Sequence, residues 1–170
     1  MKDINDHQTK YHYMKKITHI IAMLVMILSL SSCFKNYDER YQDTAPTIEF
    51  ENAVSVSKAA GKNYPILPTK QKPAAGVVKY RVNFFGAQPT EDVALSFRVV
   101  SGETTAVEGT DYHLPNGATF TVSKGTSFGY VEVEALNTLT GTPLLVLELT
   151  GTDKVKTADL YKTIGISFAP

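Results

Sequence analysis

The residue in this sequence best placed for chemistry is Cys33, its only cysteine. Cys33 stands where an apolar run, residues 20–30 (IIAMLVMILSL), ends and a polar stretch begins. A lone thiol can fill a core, act as a nucleophile or serve as an attachment point, and these roles belong to different kinds of protein. A single cysteine also excludes an internal disulfide and a zinc site built on several thiolates.

The residues before Cys33 have the features of an export signal. Lys15 and Lys16 precede the apolar run, whose length as a helix is about 16 Å, roughly half of a ~30 Å hydrocarbon core. A basic segment, a short apolar run and small residues are typical of a secretory signal peptide. The tetrad LSSC at residues 30–33 resembles the lipobox of bacterial lipoproteins, which implies that the thiol is acylated, for example with palmitate, before the preceding bond is cut. The alternative is an ordinary signal anchor that ends in a cysteine.

These features predict three segments. Residues 1–32 form a lipoprotein signal peptide, with Met14 as an alternative start because the sequence from that methionine is a complete signal by itself. Residues 33–45 are polar and without period, which predicts a lipid-anchored flexible tether. Residues 46–170 form the folded domain. The expected location is the outer membrane, on either its periplasmic or its surface face, with lipid on Cys33 as the only non-protein group and no separate cofactor.

The charge distribution argues against a nucleic-acid partner. Four of the 17 basic and two of the 17 acidic residues precede Cys33, which leaves 13 basic and 15 acidic residues in the rest of the chain. A domain with this mildly acidic balance lacks the positive field that nucleic acids require. The predicted partners are the membrane, through the lipid, and a glycan or an envelope protein.

Period-two alternation dominates the sequence after residue 46. In VVKYRVNFF (residues 77–85), Val78, Tyr80, Val82 and Phe84 share one face, and polar side chains occupy the other. The same pattern predicts strands around Ile48/Phe50, Val54/Val56, Val93–Val99, Phe120/Val122, Val131/Val133/Ala135, Leu145/Leu147/Leu149 and Ile164/Ile166/Phe168. The proline-rich residues 64–76 predict a loop or an edge crossing. Many short strands indicate an all-β fold, a single antiparallel immunoglobulin-like β-sandwich of about seven to eight strands.

The segment TAVEGTDYHLPNG, residues 105–117, carries a resemblance to a known family. Its Ala-x-x-Gly-x-Asp-Tyr turn, at residues 106–112, and the strands after it resemble the Calx-beta family, and still more the sandwich domains of unknown function in outer-membrane lipoproteins of starch-utilisation-type glycan loci. The resemblance covers residues 77–168. It implies a sandwich and, from the calcium-binding members, candidate calcium ligands at Glu108 and Asp111 with Glu103 nearby.

Calcium takes about six to eight oxygen ligands, and the later acidic run of those domains is missing, because residues 136–143 (LNTLTGTP) contain no carboxylate. The alternative role for Asp111 is a hydrogen bond to its own turn, with Tyr112 covering the end of the sandwich.

The sequence does not offer a recognisable set of catalytic residues. His113 is the only histidine after Cys33, and it lies in a predicted loop beside Pro115 without a serine motif next to it. Glu132 and Glu134 share a strand face and could form a glycosidase pair, but the same alternation is found on any exposed sheet face. We therefore predict that the protein is not an enzyme.

Two aromatic residues suggest a binding surface. If Val131 and Val133 point inward, Phe128 and Tyr130 lie in phase with Glu132 on the outer face. Outward rings two residues apart form a platform that can stack on a sugar ring or a protein. Alternatively the strand twists or starts at Tyr130, so that a loop covers both rings; Phe85 has the same two interpretations. The predicted function is an accessory binding module, and the alternative is a structural or assembly subunit or an adhesin.

Overall fold

The computed structural model describes residues 14–19, 21, 23 and 45–170. Residues 14–19, 21 and 23 are helical and exposed. No helix among the described residues is long and apolar enough to cross a membrane. Cys33, the signal cleavage and the tether lie outside the described residues, so the predictions made for them stay predictions. The chain divides into two units, residues 1–43 and 44–170, and the strands belong to the second.

Residues 45–170 fold into two β-sheets. In chain order the strands are β1 (Thr47–Phe50), β2 (Val77–Phe85), β3 (Val93–Val99), β4 (Tyr112–His113), β5 (Thr119–Val122), β6 (Phe128–Ala135), β7 (Leu144–Thr150), β8 (Lys156–Thr157) and β9 (Thr163–Ser167). One sheet has five strands in the order β4-β6-β2-β1-β8, and the other has four in the order β5-β3-β7-β9.

The alternating pattern of β2 places its side chains as predicted. Tyr80, Val82 and Phe84 are buried, whereas Lys79 is exposed and Arg81 is half-buried. The inner face of β2 meets the inner faces of β3 and β7 across a core in which Leu145 and eleven other side chains have almost no exposed area. A slip of one residue would turn all of these apolar side chains to water, so burial fixes the strand register.

The strand order confirms the predicted immunoglobulin-like sandwich. Of the seven strands with four or more residues, the first, second and fifth lie in one sheet and the third, fourth, sixth and seventh in the other. Six ladders are antiparallel, and the short β1–β8 ladder is parallel. The ladders between the named strands are therefore antiparallel except for the one that joins β8 to β1.

The strand predicted at Val54/Val56 is wrong. Residues Glu51–Ser55 form a short helix that follows β1 directly. Ala53 is its buried residue, whereas Val54 is 52% exposed. Five residues are too few for a helical period to be detected, and the two valines resemble alternation by chance.

Residues 64–71 form a crossing segment along the outer edge of β9, which is one of the two predicted alternatives for the proline-rich residues 64–76. The Leu67 amide donates to Gly165 O at 2.8 Å, and the Gln71 amide donates to Ser167 O at 2.8 Å. A Cβ atom on Gly165 would lie 3.0 Å from Ile66. Because Gly165 is opposite Val146 in the β7–β9 ladder, the crossing also covers the outer side of β7 and buries Val146, which the alternation had placed on the exposed face.

The two sheets approach each other closely at Gly129 on β6. A Cβ atom there would lie 2.6 Å from Thr121 O and 3.0 Å from the ring of Phe120, both on β5. Facing sheets are normally about 10 Å apart, so only a residue without a side chain permits this contact. Gly129 therefore closes the sandwich where β5 passes β6.

We expect Gly129→Ala to lower the free energy of unfolding by about 1–3 kcal/mol, because the neighbouring oxygen belongs to the backbone and cannot rotate away. Gly102→Ala is the matched control, since a Cβ atom at Gly102 would meet no other atom within 4 Å and its φ is not in the left-handed region. Urea denaturation of both variants measures the difference. Equal stability would contradict the close contact.

Candidate functional site

Two aromatic rings lie side by side on the outer face of the five-stranded sheet. β6 begins at Phe128, and Val131 and Val133 on its inner face are fully buried. Tyr130 is 39% exposed, and Phe128 is half-buried. Their ring centroids are 5.6 Å apart and their planes are inclined by 70°, an edge-to-face arrangement. Both rings are thus in phase with Glu132, and β6 does not start at Tyr130. Their role in binding a ligand stays a prediction.

Two cations from β2 lie against these rings. The guanidinium carbon of Arg81 is 4.4 Å from the ring centroid of Phe128, and Lys79 Nζ is 6.0 Å from that of Tyr130. Such contacts stabilise exposed rings by about 0.5–1 kcal/mol each. The β2–β6 register creates them, because Arg81 is directly opposite Tyr130. The rings are therefore held in place before any ligand arrives.

Carboxylates neutralise both cations. Lys79 Nζ is 2.8 Å from Glu132, and the hydrogen bond to this carboxylate raises the pKa of Lys79. The Arg81 guanidinium is 3.7 Å from the carboxylate of Glu51 in the short helix. Asn116 donates a further hydrogen bond of 3.1 Å to Glu132. Each cation thus has a carboxylate within 4 Å, which weakens its attraction for an anionic ligand.

Carboxyl groups outnumber cations on this outer face. Burial raises the pKa of Glu49, which lies on β1 between two buried residues and points outward. On β1, β2, β6 and the flanking helix, four carboxyl groups stand against two cations: Glu49, Glu51, Glu132 and Glu134 against Lys79 and Arg81. This balance disfavours a polyanionic ligand.

A third aromatic side chain extends the same surface. Phe85 is 53% exposed at the end of β2, and it lies two residues beyond Asn83, which is directly opposite Phe128. Residues two apart on a strand share a face. We call Phe85, Phe128 and Tyr130 the outer aromatic surface. Sequence reasoning missed Arg81, because its position over Phe128 depends on which strands pair.

The loop that carries the candidate calcium ligands is closed by its own hydrogen bonds. Asp111 is 7% exposed, and its Oδ2 accepts the backbone N–H of Val107 at 2.8 Å. Glu108 is exposed, and Tyr112 stacks on Phe168 with ring centroids 6.1 Å apart. Asp111 thus acts as a turn former, and Tyr112 covers the end of the core.

Glu103 is engaged elsewhere. Its carboxylate pairs with Lys62 and accepts a hydrogen bond of 2.5 Å from the hydroxyl of Tyr64. The Lys62 hydrogen bond holds the pKa of Glu103 below its ordinary value. Within the part of the chain that the structure describes, no three His, Cys, Asp or Glu side chains come together as metal ligands. Glu108 and Asp111 therefore belong to no such group among the described residues, and their calcium role stays a prediction.

The residues considered for catalysis lie on β4 and β6. His113 is exposed on β4, directly opposite Glu134 on β6. Glu132, the other member of the suggested carboxylate pair, is engaged by Lys79 and Asn116. These contacts give Glu132 a structural role on the sheet surface, and they suggest no nucleophile and base acting together.

Comparisons with known proteins give a likeness of fold without a function. No family model matches the sequence, and no curated protein matches it. Among solved structures, the apo form of the Calx CBD1 domain is 16% identical, with a TM-score of 0.47, and the match covers 75% of this chain and all of that one. The CBD12 structure from CALX1.2 is 15% identical, with a TM-score of 0.47, over 71% of this chain and 43% of that one. The fold described above rests on the strand order of the chain itself.

Proposed function

We propose that this chain is a lipid-anchored protein of the cell envelope whose sandwich binds a neutral glycan on the outer aromatic surface. The observation that carries this proposal is the solvent-facing pair Phe128 and Tyr130, with Phe85 on the same face. Aromatic side chains on an exposed face present flat apolar area that water solvates poorly. A sugar ring offers a matching apolar C–H face. No catalytic step is proposed.

The charges of the outer face favour a neutral ligand. Lys79 and Arg81 are already paired with Glu132 and Glu51. A uronate or sulfate group would compete with those carboxylates and meet the excess negative charge around them. Hydroxyl groups of a neutral sugar can instead bond to the polar atoms of the paired side chains. The expected ligand class is therefore a neutral polysaccharide.

The lipid anchor would hold this surface close to the membrane. One acyl chain gives only marginal membrane binding, whereas two or more chains anchor a protein stably. With Cys33 as the first residue of the mature chain, twelve further residues precede Pro46 and the first strand, and they can serve as a tether. An assembly subunit of an envelope complex remains the second candidate, because exposed aromatic rings also fit a protein partner.

Affinity electrophoresis of the full chain tests the glycan proposal. Gels are cast with neutral polysaccharides (starch, mannan and a β-glucan) or with the polyanion pectate. We expect retardation by at least one neutral polysaccharide and none by pectate. Retardation by pectate alone, or by no polysaccharide, would contradict the proposal, and co-purification with an envelope protein would then favour the second candidate.

A further inference from the structure

A concave site lies away from the outer aromatic surface. A cleft of about 290 Å³ opens between the helix Glu51–Ser55 and the crossing segment, and its lining includes Val56, Leu67, Lys70 and Val78. Tyr80, on the inner face of β2, also lines it. The cleft therefore faces the opposite side of the five-stranded sheet from Phe128 and Tyr130. Small-molecule sites are typically of this kind, apolar with a few fixed polar groups.

A buried polar pair fixes the floor of the cleft. Gln71 is 4% exposed; its Nε2 donates to Val133 O at 2.7 Å, and its Oε1 accepts the Tyr80 hydroxyl at 2.9 Å. The backbone of Gln71 bonds to Ser167 O at 2.8 Å and to the Ala169 amide at 3.0 Å. A residue tied to both sheets by four hydrogen bonds does not move to fill the space beside it. The cleft is thus preformed, which lowers the entropic cost of binding.

Apart from Glu51, which pairs with Arg81, the chain around the cleft carries positive charge only. Residues 52–90 contain six basic side chains and no Asp or Glu. Lys62, Lys79 and Arg81 are paired with carboxylates from other parts of the chain. Lys70 is exposed at the cleft, and no carboxylate among the described residues pairs with it. An apolar cleft with an unpaired ammonium group beside it is complementary to an amphipathic anion.

We propose that this cleft binds a small amphipathic carboxylate, whose apolar tail contacts Val56, Leu67 and Val78 and whose carboxylate pairs with Lys70. A volume of about 290 Å³ holds roughly ten non-hydrogen atoms at ~30 Å³ each, which is the size of octanoate. The carboxylate stays at the solvent-exposed lysine, because burying it among the apolar side chains of the cleft would cost several kcal/mol. The site is independent of the outer aromatic surface.

Calorimetric titration of the full chain with sodium octanoate, and with 1-octanol as the uncharged probe, tests the site. Two variants report on it. Ala75→Phe fills the cleft from an exposed position at its lining, and Lys70→Gln removes the positive charge. The apolar run at residues 20–30 can also take up either probe, but it is present in every variant. Differences between variants therefore report on the cleft alone.

We expect the wild-type chain to bind octanoate more tightly than octanol, Ala75→Phe to lose this binding, and Lys70→Gln to weaken octanoate binding roughly two- to fivefold, the range of an exposed ion pair. Octanol binding should be unchanged by Lys70→Gln. Equal octanoate binding by the wild type and Ala75→Phe would overturn the site. Equal affinity of the wild type for both probes would overturn the role of Lys70.

Discussion

Replacement of Cys33 by alanine is expected to abolish lipid labelling of the protein completely. Only a thiolate is nucleophilic enough to form the thioether, and the chain has no second cysteine to substitute for it. Because acylation precedes cleavage in the lipobox pathway that residues 30–33 resemble, the variant should also keep its signal peptide. Metabolic labelling with an alkyne fatty acid, followed by gel electrophoresis, measures both effects.

Ser31→Ala is the matched control for the cysteine variant. It exchanges one small residue of the tetrad for another, so it should be labelled and cut like the wild type. A Cys33→Ala chain that still carries lipid would show that the anchor is elsewhere. An unlabelled wild-type chain would assign the apolar run to an ordinary signal anchor.

The second large effect is expected from removal of the two paired rings. Phe128→Ala combined with Tyr130→Ala should abolish retention on whichever neutral polysaccharide retards the wild-type chain, because no other pair of contacting rings lies on that face among the described residues. Cross-strand pairs on an exposed face contribute about 0.2–1 kcal/mol each. The melting temperature should therefore fall by only a few degrees.

Two further variants make this result interpretable. Val107→Ala removes an apolar side chain that is 57% exposed in the loop before Asp111, and it should leave retention unchanged. Phe85→Ala removes the outlying ring of the outer aromatic surface and should weaken retention without abolishing it. A double variant that loses retention only because it unfolds would instead assign the rings of Phe128 and Tyr130 to structural support.

The strands could be predicted because one physical signal dominates them. A strand with one buried face must alternate, and in β2 and β6 the buried side chains follow this rule without exception from Tyr80 to Phe84 and from Gly129 to Ala135. The same rule placed Phe128 and Tyr130 on the outer face. Where burial of one face determines how a strand is oriented, the local sequence is enough to predict which side chains point inward.

Other features could not be predicted because they depend on distant residues. Val146 is buried on the outer face of β7, where the crossing segment covers Gly165 beside it. β4 and β8 have two residues each, too few for any period, and exist because longer strands offer them an edge. The helix after β1 is likewise too short for its period to be read. Each is decided by tertiary contacts rather than by local pattern.

The candidate sites also combine features that the local sequence predicts with features that depend on tertiary contacts. The direction of the two rings follows from alternation, but the position of Arg81 over Phe128 requires the β2–β6 register. The cleft beside Lys70 requires the crossing segment to fold back along β9, which its prolines allow but do not direct. Single residues and their faces were thus accessible from the sequence, whereas surfaces built from several segments were not.

The most direct test of whether the outer aromatic surface binds a neutral sugar is an NMR titration. The ligand is an oligosaccharide fragment of the polysaccharide that retards the protein, and the titration maps where it binds. We expect the largest shifts in the ring resonances of Phe128 and Tyr130 and in the side chain of Arg81, with smaller shifts at Phe85. Shifts confined to the loop around Glu108 and Asp111, or no shifts at saturating sugar, would contradict this expectation.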